Sequence, residues 1–149
     1  MNVNSFRELL DFAIDQEQQA FEFYTELADR MAGPHMRAAL LEFAEQERGH
    51  KAKLEAVRSS GSVSFPTQPV GDLKIADYVT EVQPHSQLDY REALVVAMHQ
   101  EKAAYRLYHD LGRACDDSEL KEMFRFLARE EAAHKLLFET QYDEMLGDN

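Results

Sequence analysis

The sequence has a single cysteine, Cys115. An intrachain disulfide is therefore excluded, as is any Cys-x-x-Cys metal or redox motif. Cys115 falls on an apolar helical spacing and is expected to be a small buried hydrophobe. Basic residues are also few: 16 lysines and arginines stand against 28 aspartates and glutamates, a formal net charge of −12. That excess of acid argues against nucleic acid or an anionic membrane as a partner. No apolar run approaches the ~20 residues of a membrane span. The first residues, MNVNSFRELLDF, lack the basic and apolar regions of a secretory signal. A cytoplasmic location is the resulting expectation.

What is present is helical periodicity in four long segments. In the first, Phe6, Leu9, Leu10, Ala13, Ile14, Ala20, Phe21, Tyr24, Leu27, Ala28 and Met31 recur at spacings of three and four. AGP at 32–34 ends it, with Gly33 suited to a C-terminal cap. The second segment runs from about His35 to Arg58 and the third from about Leu88 to Cys115. Asp116 with Glu119 offers a capping box for the fourth, which continues to about Leu146. Between the second and third lies SSGSVSFPTQPVGDLKIADYVTEVQPHSQ, with room for a short helix or turn around LKIADYV.

A helix of ~25 residues is ~38 Å long. Returning the chain from one end of a bundle to the other therefore needs at least about a dozen extended residues. The joints AGP and CDDS are short, so the helices flanking each should be antiparallel. The expected fold is all-α: a ferritin-like four-helix bundle of two antiparallel hairpins joined by a long crossover. It forms one domain over 1–149, with hairpin 1 at about 4–59, the crossover at about 60–87 and hairpin 2 at about 88–147.

The two hairpins repeat each other. AIDQEQQAFEFY (13–24) aligns without a gap onto AMHQEKAAYRLY (97–108), an offset of 84 residues. The same offset carries Glu47 onto Glu131 and His50 onto His134. Glu17 lies between Leu10 and Tyr24, and Glu101 between Leu94 and Tyr108. Residues seven apart differ by only ~20° around a helix, so these six polar groups project from the apolar stripe. In each Glu-x-x-His pair the two side chains sit one turn apart on one face and can reach one centre.

In so acidic a chain a lone Glu-x-x-His arises readily by chance, and one polar core residue can serve register alone. Neither reading accounts for four glutamates and two histidines in matching halves. Four buried carboxylates without a cation repel one another and each carries a desolvation cost. Two divalent metals would neutralise them. Carboxylate-rich sites with one imidazole per ion and no thiolate suit iron or manganese better than structural zinc.

Glu17, Glu47-x-x-His50, Glu101 and Glu131-x-x-His134, with DYREALVVAMHQEKAAYRLY and LKIADYV, resemble the rubrerythrin-like branch of the ferritin-like di-iron carboxylate proteins. The resemblance covers nearly the whole chain. It implies two iron ions, with manganese or a mixed pair as alternatives. Glu47 and Glu131 would bridge them, Glu17 and Glu101 would be terminal ligands, and His50 and His134 would give one nitrogen each. It implies a peroxidase or ferroxidase acting in oxidative stress, reducing hydrogen peroxide or oxygen as Fe(II) is oxidised. A homodimer is a further expectation, and exposed crossover aromatics such as Phe65 would permit it. Two departures stand out. The four-cysteine site of a rubredoxin domain is missing, so electrons must come from a separate donor such as a rubredoxin-like protein. Many members also carry a second glutamate three residues after the third-helix ligand, where this chain has Ala104. A non-catalytic iron-binding or iron-sequestering bundle is the alternative function, and a bundle that has lost its metal is a third.

Tyr24, Tyr105 and Tyr108 lie one or two turns beyond the first- and third-helix glutamates. Their hydroxyls are candidates to hydrogen-bond the ligand carboxylates; ordinary aromatic core packing is the competing role. His35, His85, His99 and His109 have no ligand-like setting and are read as surface or interface residues.

Overall fold

The computed structural model describes residues 3–30, 33–60, 73–85 and 87–147. Among the described residues there are four α-helices: α1 (Val3–Asp29), α2 (Pro34–Ser59), α3 (Tyr90–Ala114) and α4 (Ser118–Gly147). Among the described residues there is no strand, and no helix is long and apolar enough to cross a membrane. Met31 and the first half of the crossover, Phe65 included, lie outside the described residues. The turn expected around LKIADYV is a single 3-10 turn, Ile75–Tyr78.

Side-chain pairs give the helix directions. Arg58 donates to Asp11 at 2.8 Å, Lys51 to Gln18 at 2.9 Å, and Arg37 pairs with Asp29 at 3.9 Å. Partner numbers fall along α1 as they rise along α2, so the two are antiparallel. In the second hairpin, Arg91 at the start of α3 reaches Tyr142 near the end of α4 at 3.4 Å. At the other end Gly112 faces Phe124, and a Cβ added there would lie 3.4 Å from the Phe124 Cβ. The bundle of two hairpins is therefore as expected.

Two helix starts differ from the sequence reading. Gly33 does not cap α1; it is extended (φ −80°, ψ 128°) and precedes α2, whose first position Pro34 occupies. Proline disfavours helical geometry in the residue before it and is itself suited to the first helical position. For α4 the capping side chain is Asp117 rather than Asp116. Its Oδ1 accepts from the backbone N–H groups of Glu119 and Leu120 at 2.9 and 3.0 Å. Asp117 stands immediately before Ser118, the position from which a side chain reaches the second and third amides of a helix. A reciprocal capping box does occur, at the start of α3. Asp89 accepts from Glu92 N–H at 2.7 Å, and Glu92 accepts from Asp89 N–H at 3.2 Å. Asp117→Ala should lower stability by about 1 kcal/mol, read as a shifted denaturant midpoint at unchanged slope.

Burial divides the core into two apolar packs. One holds Phe6, Leu10, Leu54, Leu111, Phe124 and Leu127 with Cys115; the other holds Tyr24, Leu27, Leu40, Leu94, Ala97 and Phe138. Cys115 is buried as expected, and burial pushes its thiol up to about 11. On every helix a polar position separates the two packs: Glu17 on α1, Glu47 and His50 on α2, Glu101 on α3, Glu131 and His134 on α4. The crossover is tied down over α3, where Tyr78 donates to Asp110 at 2.7 Å and Gln100 donates to Thr80.

Candidate metal centre

The six polar side chains of that middle layer meet in the bundle core, each at most 2% exposed. Their positions follow from the seven-residue spacing, which returns each polar residue to the apolar seam. Two sets of four donors form. Glu17, Glu47, His50 and Glu131 make one, and Glu47, Glu101, Glu131 and His134 the other, each set offering atoms within 4.8 Å of one another. Glu47 and Glu131 belong to both. His50 Nδ1 is 3.1 Å from Glu131, 3.4 Å from Glu17 and 3.4 Å from Glu47. His134 Nδ1 is 3.3 Å from Glu47, 3.6 Å from Glu101 and 3.7 Å from Glu131. The two imidazole planes lie within 14° of parallel, their centroids 6.5 Å apart.

These ion-pair distances are not closed by hydrogen-bond geometry. Each of the six residues keeps one buried atom without a hydrogen-bond partner: Glu17 Oε2, Glu47 Oε1, His50 Nδ1, Glu101 Oε2, Glu131 Oε1 and His134 Nδ1. An unpaired buried polar atom costs ~1–3 kcal/mol, so six facing one centre are not a packing accident. Four carboxylate oxygens and two imidazole nitrogens form a donor set that fits divalent iron or manganese.

The electrostatics carry the same strain. Burial first, then the charges of Glu131, Glu17 and Glu101, pushes the Glu47 carboxyl well above its usual range. Burial, then Glu101 and Glu17, does the same to Glu131. Burial lowers His50, but the facing carboxylates of Glu131 and Glu17 outweigh it and raise the imidazole to about 11. Burial and mutual repulsion thus disfavour the charged forms of Glu47 and Glu131.

Two tyrosines support the layer, each reaching across to the other hairpin. The Tyr24 hydroxyl donates to Glu101, and the Tyr108 hydroxyl donates to Glu17. Burial, then the nearby carboxylates, holds both phenols well above their ordinary range, so they stay protonated and donate. Tyr105 does not share this role. It is 38% exposed, and its ring stacks on His109 at 5.8 Å. The reason is angular: a step of seven residues from Glu101 keeps Tyr108 on the seam, whereas a step of four rotates Tyr105 ~40° away from it. His35, His85, His99 and His109 are exposed, as the sequence reading has them.

Beyond the sequence expectation lie the groups behind the imidazoles. His50 Nε2 is 2.6 Å from Glu130, and His134 Nε2 is 2.6 Å from Gln46. The 84-residue offset relates 46 to 130, but the residues differ there, so the repeat does not single them out. Beside the carboxylates, between α1 and α3, is a cavity of about 20 Å³ walled by Phe12, Gln16, Tyr78, Gln100 and Ala104. It has room for a molecule about the size of water.

The comparisons agree with this geometry. A family model described as Rubrerythrin matches residues 8–142. A solved structure of a hypothetical protein from Pyrococcus furiosus is similar over 96% of this chain and 91% of its own, with a TM-score of 0.77 at 26% identity. No curated protein matches. The family match begins in α1, ends in α4 and takes in all six residues of a buried Glu/His cluster that fits a di-iron site: the chain belongs to the rubrerythrin family.

Proposed function

We propose that this chain is a non-haem di-iron protein that reduces hydrogen peroxide or oxygen as Fe(II) is oxidised. The observation that carries the reading is the ring of six buried donor atoms, one from each of Glu17, Glu47, His50, Glu101, Glu131 and His134, all lacking a hydrogen-bond partner. In this reading Glu47 and Glu131 serve both ions, while Glu17 with His50 and Glu101 with His134 serve one each. Two bound irons would supply the pair of electrons that a peroxide O–O bond takes up when it is reduced to water.

The chain's own groups supply the rest. Tyr24 and Tyr108 hold Glu101 and Glu17 in place by donating to one oxygen and leaving the other free. The apolar packs above and below keep bulk water out. The cavity beside Ala104 would place a small oxidant next to the carboxylates. Filling it with Ala104→Leu should slow oxidation by peroxide while leaving metal stoichiometry unchanged, as stopped-flow absorbance and metal analysis can check. A separate electron donor such as a rubredoxin-like protein, and a homodimeric assembly, complete the proposal.

Two observations favour a second reading, an iron-sequestering bundle. The single cysteine is buried and offers no electron relay, and Ala104 leaves the centre without a further carboxylate. Loading with Fe(II) under anaerobic conditions, then adding peroxide with a reduced donor, separates the two. Repeated turnover supports the enzyme. A single oxidation without turnover supports sequestration.

A further inference from the structure

The repeat preserves all six donors and both tyrosines, yet it breaks directly behind the imidazoles. Glu130 stands at His50 Nε2 and Gln46 at His134 Nε2, both at 2.6 Å. A carboxylate offers only acceptors, so the Nε2 proton there belongs to His50. On the other side the Gln46 amide is oriented by its amino group, which faces Glu42 Oε1 at 3.4 Å and leaves its oxygen to His134. Both rings therefore present Nδ1 to the centre, but one is backed by an anion and the other by a neutral amide. Glu130 is only 28% exposed, so solvent screens its charge incompletely. The apolar surroundings add to the contrast: Phe43 stacks on His134 at 4.0 Å, whereas Phe126 meets His50 edge-on at 6.4 Å.

We infer that Glu130 makes the two metal positions unequal, so that the half built on Glu17 and His50 takes up a divalent cation first and more tightly than the half built on Glu101 and His134. The inference rests on the two-metal reading above. A carboxylate bonded to the far nitrogen of a ligating imidazole raises the basicity of the near one, and a charge-assisted hydrogen bond is about twice as strong as a neutral one. Glu130 is thus a positioning residue that acts through His50, and Gln46 is its weaker counterpart.

The test uses Co(II) as the probe, added anaerobically to the chelator-treated chain. Step affinities come from the visible spectrum. Occupancy of each half comes from anomalous scattering of crystals grown at one cobalt per chain. In the wild type the first cobalt should concentrate in the His50 half. Glu130→Gln should weaken the first step about 10–100-fold and even out the occupancies. The exchange variant, Gln46→Glu with Glu130→Gln, should restore the tight step and move the cobalt to the His134 half. A purely structural role for Glu130 cannot produce that transfer. The inference is overturned if the wild type divides one cobalt evenly, if Glu130→Gln changes neither readout, or if the exchange leaves cobalt beside His50. Absence of any cobalt uptake by the wild type overturns the two-metal reading and this inference with it.

Discussion

Glu131→Ala should abolish binding of at least one metal ion, with an affinity loss beyond the 10–100-fold typical of removing an outer partner. The expectation follows from geometry: Glu131 is one of two residues that contribute to both donor sets. Losing Glu17 would impoverish one set, whereas losing Glu131 takes a carboxylate from both. The helix itself should survive, because Phe124, Leu127, Ala128 and Phe138 keep α4 packed. Glu131→Gln refines the test by preserving shape. It also removes one of several carboxyls crowded in the core, so the chelator-treated variant should be no less stable than wild type while losing stabilisation by metal. Anaerobic titration and thermal melts report the two effects separately. Full two-metal occupancy in Glu131→Ala would refute the shared role.

The second large effect is a pair of opposite pH dependences. The Glu47 and Glu131 carboxyls are raised in the folded chain above 4.5, and His50 is raised from 6.5 to about 11. A folded state that binds protons more tightly than the unfolded one loses stability as pH rises. For the two carboxyls the contribution is complete below 4.5 and fades above it; for His50 it is complete below 6.5 and fades towards 11. The chelator-treated wild type should therefore lose stability over this range relative to the Glu47→Gln, Glu131→Gln double variant. That comparison removes the surface groups, some of which act in the other direction: Glu45, held low by Arg48, and Asp89, held low by the Glu92 N–H. Metal reverses the sign, since ligands must shed their protons to bind it. Added Fe(II) should raise the melting temperature at neutral pH, equivalent to about 2.7 kcal/mol at a hundredfold excess over Kd. The gain should vanish near pH 4. Melts across this range check both arms, and an equal gain at pH 4 and 7 would contradict the ligand assignment.

Much of this was legible from the sequence because helical bundles write their core in periodic spacing. Glu17 and Glu101 stand out because seven-residue steps join them to leucines and tyrosines, and the 84-residue offset pairs every member of the cluster. The partners of the tyrosines were only half legible. Spacing puts Tyr24 and Tyr108 on the seam, but only packing of α1 against α3 shows that each reaches the glutamate of the opposite hairpin. Tyr105 misled because one helical turn is close to, but not equal to, four residues. Gly33 and Asp116 misled at joints, where one residue of shift decides which side chain meets a free amide. Glu130 and Gln46 were hidden by context: among so many surface acids and amides, nothing local separates a group behind an imidazole from a solvated one.

On the proposed reading, the middle of this bundle is a built site for two cations rather than a polar flaw in its core. Anaerobic Fe(II) titration of the chelator-treated wild-type chain tests it most directly. Saturation at two ions per chain, abolished or halved in Glu131→Ala, is the expected result. Saturation at none, or loose binding spread over the acidic surface and indifferent to that substitution, would contradict it.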